Sequence, residues 1–446
     1  MRKVLALTLL LLSITYTQAQ DWINNESTLL YEDNLKSNEN SQCIEEYNIH
    51  HLLTTTNKIG TNRYAFRVWK NGSGIFEGFL NDPNLIVSDI EIFDDSVYFC
   101  GYREVNGNQI GYIGRFNILH FFSNQNCQYQ IMPITTSSKL KKLVAYESNN
   151  RDHIVAIGAD TANSPIIVDL FPDSICGTFI STSFTYEQLT DIAVGNNCVL
   201  IIGEDSDSAK ITINRFDKDN LTSNLNIPYS HRKYNYNAIT NISPIMIFSD
   251  QIKISYIDNG EMAITTTAIG INGNSYYTLV SVIDEITLNI TNTQAIVHND
   301  KMIKIKDTEY DFNTQLLYVL EENNIENTGN FETYTLVVDP NAQTPYSLKA
   351  IKAEKDYKIN DIIAYSLGDK FMGIGINSNN FQGLFSKKVS NGLQHCNVER
   401  DLKTIILGQI TDMNMMIYSP NSYTNNWFTD NFQGNNYSQI IECLSN

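Results

Sequence analysis

Three aspartates stand at the same place in recurring stretches of this sequence. Asp89, Asp191 and Asp361 each precede an isoleucine at the start of an apolar run. Carboxylates that converge from separate segments can hold a cation such as Ca²⁺, because hard cations prefer several oxygen ligands. The same aspartates can instead accept hydrogen bonds from the backbone of a neighbouring turn. We favour this second, structural interpretation of the three residues.

Motifs that would identify an enzyme are absent from the sequence. It has no GxSxG nucleophile elbow, GxGxxG fingerprint, Walker loop or HExxH zinc motif. Among the seven histidines only His50 and His51 are adjacent, and adjacent residues of a strand point to opposite faces. We therefore assign no catalytic residue, no cofactor-binding residue and no metal ligand.

Two acidic stretches are further candidates for calcium. Glu204–Ser208 and Phe216–Asn220 each place several oxygen atoms within one turn, but neither has the DxDxDG spacing with a distal glutamate. Both are predicted to be solvated turns. We expect no cofactor, with calcium as the remaining alternative.

The N-terminal residues have the pattern of a secretory signal peptide. Arg2 and Lys3 precede an apolar run from Val4 to Ile14, and Ala19 is a plausible cleavage point. Residues 1–19 are therefore predicted to be removed, and the remaining chain to be exported: secreted, periplasmic or associated with the cell surface. Apolar runs of this length are too short to anchor a protein by spanning a bilayer.

Export permits disulfides, and the chain contains seven cysteines. Cys100 lies within an apolar run and is predicted to be a packed core residue. Cys396 and Cys443 flank the C-terminal segment and are predicted to form a disulfide. Thr161 and Ser208 follow aspartate and precede an apolar residue, which resembles the O-glycosylation acceptor motif of some Gram-negative bacteria with exported glycoproteins.

The net charge excludes one class of partner. It is −18 for the whole chain, and it falls to −20 when Arg2 and Lys3 leave with the signal peptide. Such a charge repels polyanions. We therefore expect no nucleic-acid partner and no anionic membrane surface as a partner. No later stretch is apolar enough to span a bilayer, so we also expect no membrane insertion.

The aspartates belong to a repeat that sets the fold. Val87–Tyr102 aligns without a gap to Leu189–Glu204, and each stretch joins two strands through an Asp or Asn turn before a glycine. Further copies begin at Lys142, which occupies the aspartate position, and near Asn360. Weaker copies lie at Ser255–Gly270 and at Tyr310–Asn323, where the strand is predicted to start near Glu309. A third β-rich run follows each copy. Antiparallel units of three or four strands that are too small to bury their own faces are typical of β-propeller blades.

These repeats resemble exported bacterial β-propeller repeat proteins over most of the chain. The resemblance implies an all-β fold, with residues 20–446 as a single propeller domain of about seven blades. Six or eight blades remain alternatives, and the segment 391–446 is expected to close the ring. The sequence lacks the Trp-Asp strand endings of WD repeats, the Gly-Gly pairs of kelch repeats and the aspartate boxes of sialidase-like enzymes. The resemblance therefore predicts a fold and no reaction.

Within such a ring the aspartates would lie near the mouth of a central channel. The favoured function is a non-enzymatic binding or scaffold protein that recognises a protein or glycan outside the cytoplasm through its loops. One alternative is a hydrolase or lyase that acts on a polysaccharide at the channel. The other is a structural component of a cell-surface assembly.

Overall fold

The structure of the chain is a computed structural model. It describes residues 27–32, 39–48, 51–58, 63–70, 73–123, 127–172, 176–181, 187–205, 210–218, 228–235, 244–247, 251–270, 275–299, 301–325, 331–344, 347–353, 358–364, 370–376, 382–388, 397–406, 413–417, 421–424, 428–431 and 433–436. The predictions for the signal peptide at 1–19, for the Cys396–Cys443 disulfide and for Ser208 lie outside the described residues.

The described chain is all-β and antiparallel, which confirms the predicted all-β class, while the propeller of about seven blades stays a prediction. The described residues include one short helix, α1 (Ile118–Phe122), whose first turn is capped by the Asn117 side chain accepting from the His120 N–H. Within the described ranges no helix is long and apolar enough to span a membrane.

Most strands fall into seven successive units, which we number in chain order. The first unit contains β2 (Glu39–Asn48), β3 (His51–Lys58), β4 (Arg63–Lys70) and β5 (Ser73–Phe79). The second contains β6 (Leu85–Phe93), β7 (Ser96–Val105), β8 (Asn108–Asn117) and the first part of β9 (Gln128–Ser148). The third contains the second part of β9, β10 (Arg151–Asp160), β11 (Pro165–Leu170) and β12 (Cys176–Ser181).

The remaining four units follow the same antiparallel order. The fourth unit contains β13 (Glu187–Val194), β14 (Cys198–Asp205), β15 (Lys210–Asp217) and β16 (Pro228–Asn235). The fifth contains β18 (Lys253–Asp258), β19 (Glu261–Gly270), β20 (Ser275–Asp284) and β21 (Ile290–Asn299), and β17 (Pro244–Ile247) also pairs with β19. The sixth contains β22 (Lys301–Asp311), β23 (Leu316–Ile325), β24 (Phe331–Val338) and β25 (Ser347–Ala353), and the seventh contains β26 (Lys358–Ala364), β27 (Lys370–Ile376) and β28 (Gln382–Lys388).

The strand that begins each unit, which we call its inner strand, contacts the inner strands of the units before and after it. These strands are β2, β6, the second part of β9, β13, β18, β22 and β26, and β26 in turn contacts β2. Apolar clusters lie between the sheets of successive units. Between the first two units, for example, the ring of Phe66 lies 5.1 Å from that of Phe99.

A β-bulge on the inner strand explains the repeated glycine. In the second unit the register shifts between Val87 and Asp89, opposite Gly101. A Cβ added to Gly101 would lie 1.8 Å from the carbonyl oxygen of Ile86. Gly158, Gly203 and Gly375 face an inner-strand carbonyl at the equivalent place. The glycine therefore makes room for the bulge, which sets the direction of the residue that follows it.

The turn after the inner strand explains the repeated Asp and Asn. Asp94, Asn149, Asn150 and Asn259 all adopt a positive φ in these turns. Asp and Asn tolerate this left-handed conformation better than most residues that carry a Cβ. In the second, third and fifth units the polar turn is therefore a requirement of the backbone.

The outer edges of the units are covered by strands from the two ends of the described chain. β1 (Ser27–Glu32) pairs with β28 of the seventh unit. The other edge strands are β29 (Asn397–Ile406), β30 (Met413–Ile417), β31 (Asn421–Thr424), β32 (Phe428–Asn431) and β33 (Gln433–Asn436).

These C-terminal strands follow the units in reverse order. β29 pairs with β25 and β21, β30 with β16, β31 with β12, β32 with β9, and β33 with β5. Each pairing extends a sheet at the edge farthest from its inner strand. The prediction that 391–446 closes a ring stays a prediction.

Candidate functional site at the central cavity

A cavity of about 430 Å³ lies where the seven inner strands meet. This volume is within the range of small-ligand sites. Its charged lining residues among the described part of the chain are one lysine, Lys142, and a larger set of carboxyl groups: Glu45, Asp89, Glu91, Asp191, Asp307, Glu309 and Asp361. The cavity is therefore rich in acid and holds a single ammonium group among its described lining residues.

The predicted aspartates Asp89, Asp191 and Asp361 all line this cavity, and each fastens its inner strand to the next one. Asp89 Oδ2 accepts from the Leu143 N–H at 2.9 Å, and Asp191 Oδ2 accepts from the Ile254 N–H at 3.0 Å. Asp361 Oδ2 accepts from the Ile44 N–H at 2.8 Å, joining the seventh unit to the first.

A fourth aspartate has the same role and was not found from the sequence. Asp307 Oδ2 accepts from the Ile362 N–H at 3.3 Å. The register of β22 shifts between Ile305 and Asp307, as it does before Asp89. In this sixth unit the sequence predicts the strand start near Glu309 instead of at Asp307, because the turn is longer and Glu321 replaces the glycine.

We call this position the aspartate layer. In unit order it holds Cys43, Asp89, Lys142, Asp191, Lys253, Asp307 and Asp361. Lys142, which the alignment had placed in this column, donates from Nζ to Asp89 Oδ1 at 3.2 Å. The layer therefore joins neighbouring units through backbone hydrogen bonds and one ion pair.

One carboxyl group and one ammonium group of this layer have strongly shifted pKa values. Burial, reinforced by the Asp307 carboxylate and a hydrogen bond to it, raises the pKa of Asp361 well above its ordinary value. Burial alone would lower the pKa of Lys142, but Asp89, Asp191 and Asp307 outweigh it and, with Asp361, raise that pKa well above its ordinary value. The ammonium group of Lys142 is thus held charged inside the cavity.

A second ring of positions lies two residues further along each inner strand, on the same side because strand side chains alternate. We call it the glutamate layer. It holds Glu45, Glu91, Val144, Ala193, Ser255, Glu309 and Ile363. The three glutamates belong to the first, second and sixth units, whereas the third and fourth units contribute only apolar side chains. The cavity wall is therefore acidic on one side and apolar on the other.

The carboxyl groups of the three glutamates differ from those of the aspartates in their hydrogen bonding. No hydrogen bond among the described residues reaches the carboxyl group of Glu45, Glu91 or Glu309. Burial, with repulsion from Asp89, raises the pKa of Glu91 to about 8. Burial, with repulsion from Asp307 and Glu91, raises that of Glu309 to about 8 as well. Both side chains are consequently mostly protonated at neutral pH.

Aromatic side chains stand at one mouth of the cavity. Phe312, in the turn after β22, lines the cavity and is 58% exposed. Its ring lies 5.1 Å from Tyr310, edge to face, and 6.0 Å from Tyr256. Burial and the carboxylates of Asp258 and Asp339 raise the pKa of Tyr310. A large exposed aromatic ring beside a cavity is a common feature of binding sites.

Two described histidines are buried away from the cavity. His153 Nδ1 lies 3.2 Å from Asp169 Oδ1, and its ring stacks on Tyr146 at 5.0 Å. His298 Nε2 lies 3.2 Å from Thr278 Oγ1. Both are hydrogen-bonded core residues, as expected of isolated histidines in strands.

The remaining predicted positions are distributed over the molecule. Cys100 is a buried free thiol, as predicted. Thr161 lies in an exposed turn beside Asp160, and its glycosylation stays a prediction. Glu204–Ser208 and Phe216–Asn220 are described only in part. Across the described ranges, no three His, Cys, Asp or Glu side chains are grouped to hold a metal ion.

The comparisons with known proteins leave the site to be interpreted from its chemistry. No protein-family model matches the chain, and no curated protein matches its sequence.

Proposed function

We propose that this protein is a seven-bladed β-propeller that binds a partner outside the cytoplasm at the mouth of its central channel. The cyclic order of contacts among seven inner strands supports the propeller, because each unit packs on the next and the last on the first. β1, paired with β28, completes the sheet of the seventh unit. Each blade would then be one of the seven units.

The observation that carries the binding role is the exposed ring of Phe312 at the cavity mouth, which lies against half-buried Tyr256 and buried Tyr310. Aromatic rings supply much of the binding energy at protein interfaces and also stack on sugars. The aspartates that could have formed an acid and base pair are instead engaged by the backbone of the next strand. This arrangement favours recognition over chemistry at the aspartate layer.

The test is retention of a cell-envelope component by the immobilised protein. The wild type is expected to retain a protein or glycan from an envelope extract, and Phe312→Ala to lose it. Leu119→Ala is the matched control, because Leu119 is also an exposed apolar residue, 47% exposed, but lies on α1 away from the cavity. Equal retention by the wild type and both variants would contradict binding at this mouth.

One observation favours a second function, a hydrolase or lyase that acts on a polysaccharide in the channel. Glu91 and Glu309 are protonated carboxyl groups at neutral pH, as a general acid must be. An ionised partner carboxylate would complete such a site. Release of reducing ends from envelope polysaccharide that stops in Glu91→Gln, but continues in the exposed-surface control Glu104→Gln, would establish this function and displace the first.

A further inference from the structure

The cavity combines three properties that together specify the chemistry of a ligand. Its wall carries Glu45, Glu91 and Glu309 on one side, apolar residues such as Val144 and Ala193 on the other, and exposed Phe312 at the mouth. A neutral apolar ligand would use the apolar side and the aromatic mouth but would leave the carboxyl groups unpaired. A compact cation without an apolar part would use only the carboxyl groups.

One side chain of the protein itself already has the required chemistry. Lys142 places an alkyl chain and an ammonium group in this cavity, with Nζ 3.2 Å from Asp89 Oδ1. The aspartate layer is thus neutralised in part by a lysine from the chain itself. The glutamate layer, which is nearer the aromatic mouth, has no such partner among the described residues.

We infer that the mouth and the glutamate layer accept a lysine side chain presented by a partner protein, with its alkyl stem on the apolar wall and its ammonium group beside Glu45, Glu91 and Glu309. Charge complementarity selects this occupant, because a lysine supplies the apolar stem and the positive charge in one unbranched side chain. The exposed ring of Phe312 can also attract the ammonium group as it enters. The inference rests on the proposed binding function and deepens it.

Binding of a cation here is coupled to protons. Glu91 faces Asp89 and Lys142, while Glu309 faces Asp307, Glu91, Lys142 and Asp311. An ammonium group favours the ionised form of both glutamates, so its arrival displaces their protons. The affinity should therefore rise with pH up to about 8, where both glutamates ionise without the ligand.

The experiment measures binding of the peptide acetyl-Gly-Gly-Lys-Gly-Gly-amide by titration calorimetry to the full-length protein. The same peptide with an acetylated lysine is the matched ligand control, since it keeps the stem and loses the charge. We expect at least a tenfold weaker affinity for the acetylated peptide, and a several-fold rise in affinity for the lysine peptide from pH 6 to pH 8. Heats measured in buffers of different ionisation enthalpy should show proton release.

Variants separate the cavity from the general negative charge of the protein. Glu45→Gln/Glu91→Gln should weaken binding of the lysine peptide about tenfold, whereas Glu104→Gln, an exposed glutamate, should leave it unchanged. Equal binding of the acetylated peptide, or equal loss in Glu104→Gln, would overturn the lysine assignment. Saturable binding of neutral oligosaccharides with no binding of the lysine peptide would overturn it too, while leaving the proposed binding role of Phe312 intact.

Discussion

The aspartate layer and the glutamate layer lie two residues apart on the same inner strands, yet their carboxyl groups differ in their contacts. In the aspartate layer, carboxylate oxygens accept hydrogen bonds from backbone N–H groups of the next inner strand, at Asp89, Asp191, Asp307 and Asp361. The carboxyl groups of the glutamates have no hydrogen bond among the described residues, and their pKa values are raised. In this molecule the acid that recurs from unit to unit holds the units together. The acid that occurs in only three units has no such contact among the described residues, and we propose that it binds a ligand instead.

The largest expected effect is on the ion pair of the aspartate layer. Asp89→Ala would leave Lys142 and the Leu143 N–H without their acceptor, so the free energy of unfolding should fall by about 3 kcal/mol. Urea denaturation at pH 7 measures this loss. The control Glu91→Gln, two residues away, should not destabilise the protein. Similar losses in the two variants would remove the distinction between the layers.

The next effect concerns the bulge that directs the aspartate layer. In Gly101→Ala the new Cβ would collide with the Ile86 carbonyl oxygen, so the bulge must shift, at a cost of about 2 kcal/mol. Gly107 differs because no atom lies within 4 Å of a Cβ there, although its φ is +80°. Thermal unfolding of Gly101→Ala against Gly107→Asn, a residue that tolerates this φ, gives the comparison, and a smaller loss at Gly101 would contradict it.

A smaller effect is expected at Asp191, which makes its backbone hydrogen bond but has no ion pair with a lysine among the described residues. Asp191→Ala leaves the Ile254 N–H unsatisfied and should cost about 1.5 kcal/mol. Asp191→Asn retains an acceptor oxygen and should recover most of that loss. Urea midpoints of the two variants decide the matter, since equal destabilisation would mean that the negative charge, rather than the hydrogen bond, supports the fold.

The smallest effect is the pH dependence that the glutamate layer contributes. Glu91 and Glu309 have an ordinary value of 4.5 and a pKa of about 8 in the folded protein. Between these values the folded protein retains protons that the unfolded chain has released. Stability therefore falls as pH rises through this window and levels off above it.

Allowing for water in the cavity, we expect this contribution to be about 1 kcal/mol between pH 5 and pH 8. Urea denaturation of the wild type and of Glu91→Gln/Glu309→Gln at several pH values isolates it as the difference between the two profiles. Parallel profiles would show that these glutamates titrate normally.

Much of the aspartate layer could be predicted from the sequence because it depends on local pattern. Asp89, Asp191 and Asp361 were aligned by the turn and glycine that follow them, and Lys142 was placed in the same column. Asp307 could not be aligned with them because its unit has a longer turn and lacks the glycine. The glutamate layer was missed because only three units carry a glutamate there. Its one signal is the two-residue offset from the aspartates.

The C-terminal strands could not be predicted to pair as they do. Strands β30–β33 are short, and the hydrogen bonds of all five C-terminal strands join backbone groups, so side-chain pattern carries little information about their partners. The sheets they extend begin far earlier in the chain. Only the three-dimensional arrangement shows which edge each strand reaches.

These pairings also set an order of events in the making of the protein. Residues 397–436 are synthesised after every sheet that they extend, so those sheets keep an open edge while the chain emerges from the ribosome. Open edges invite pairing with other chains. A nascent chain halted before Asn397 would therefore be the form most prone to aggregate, and release of the finished chain is the step that ends this exposure.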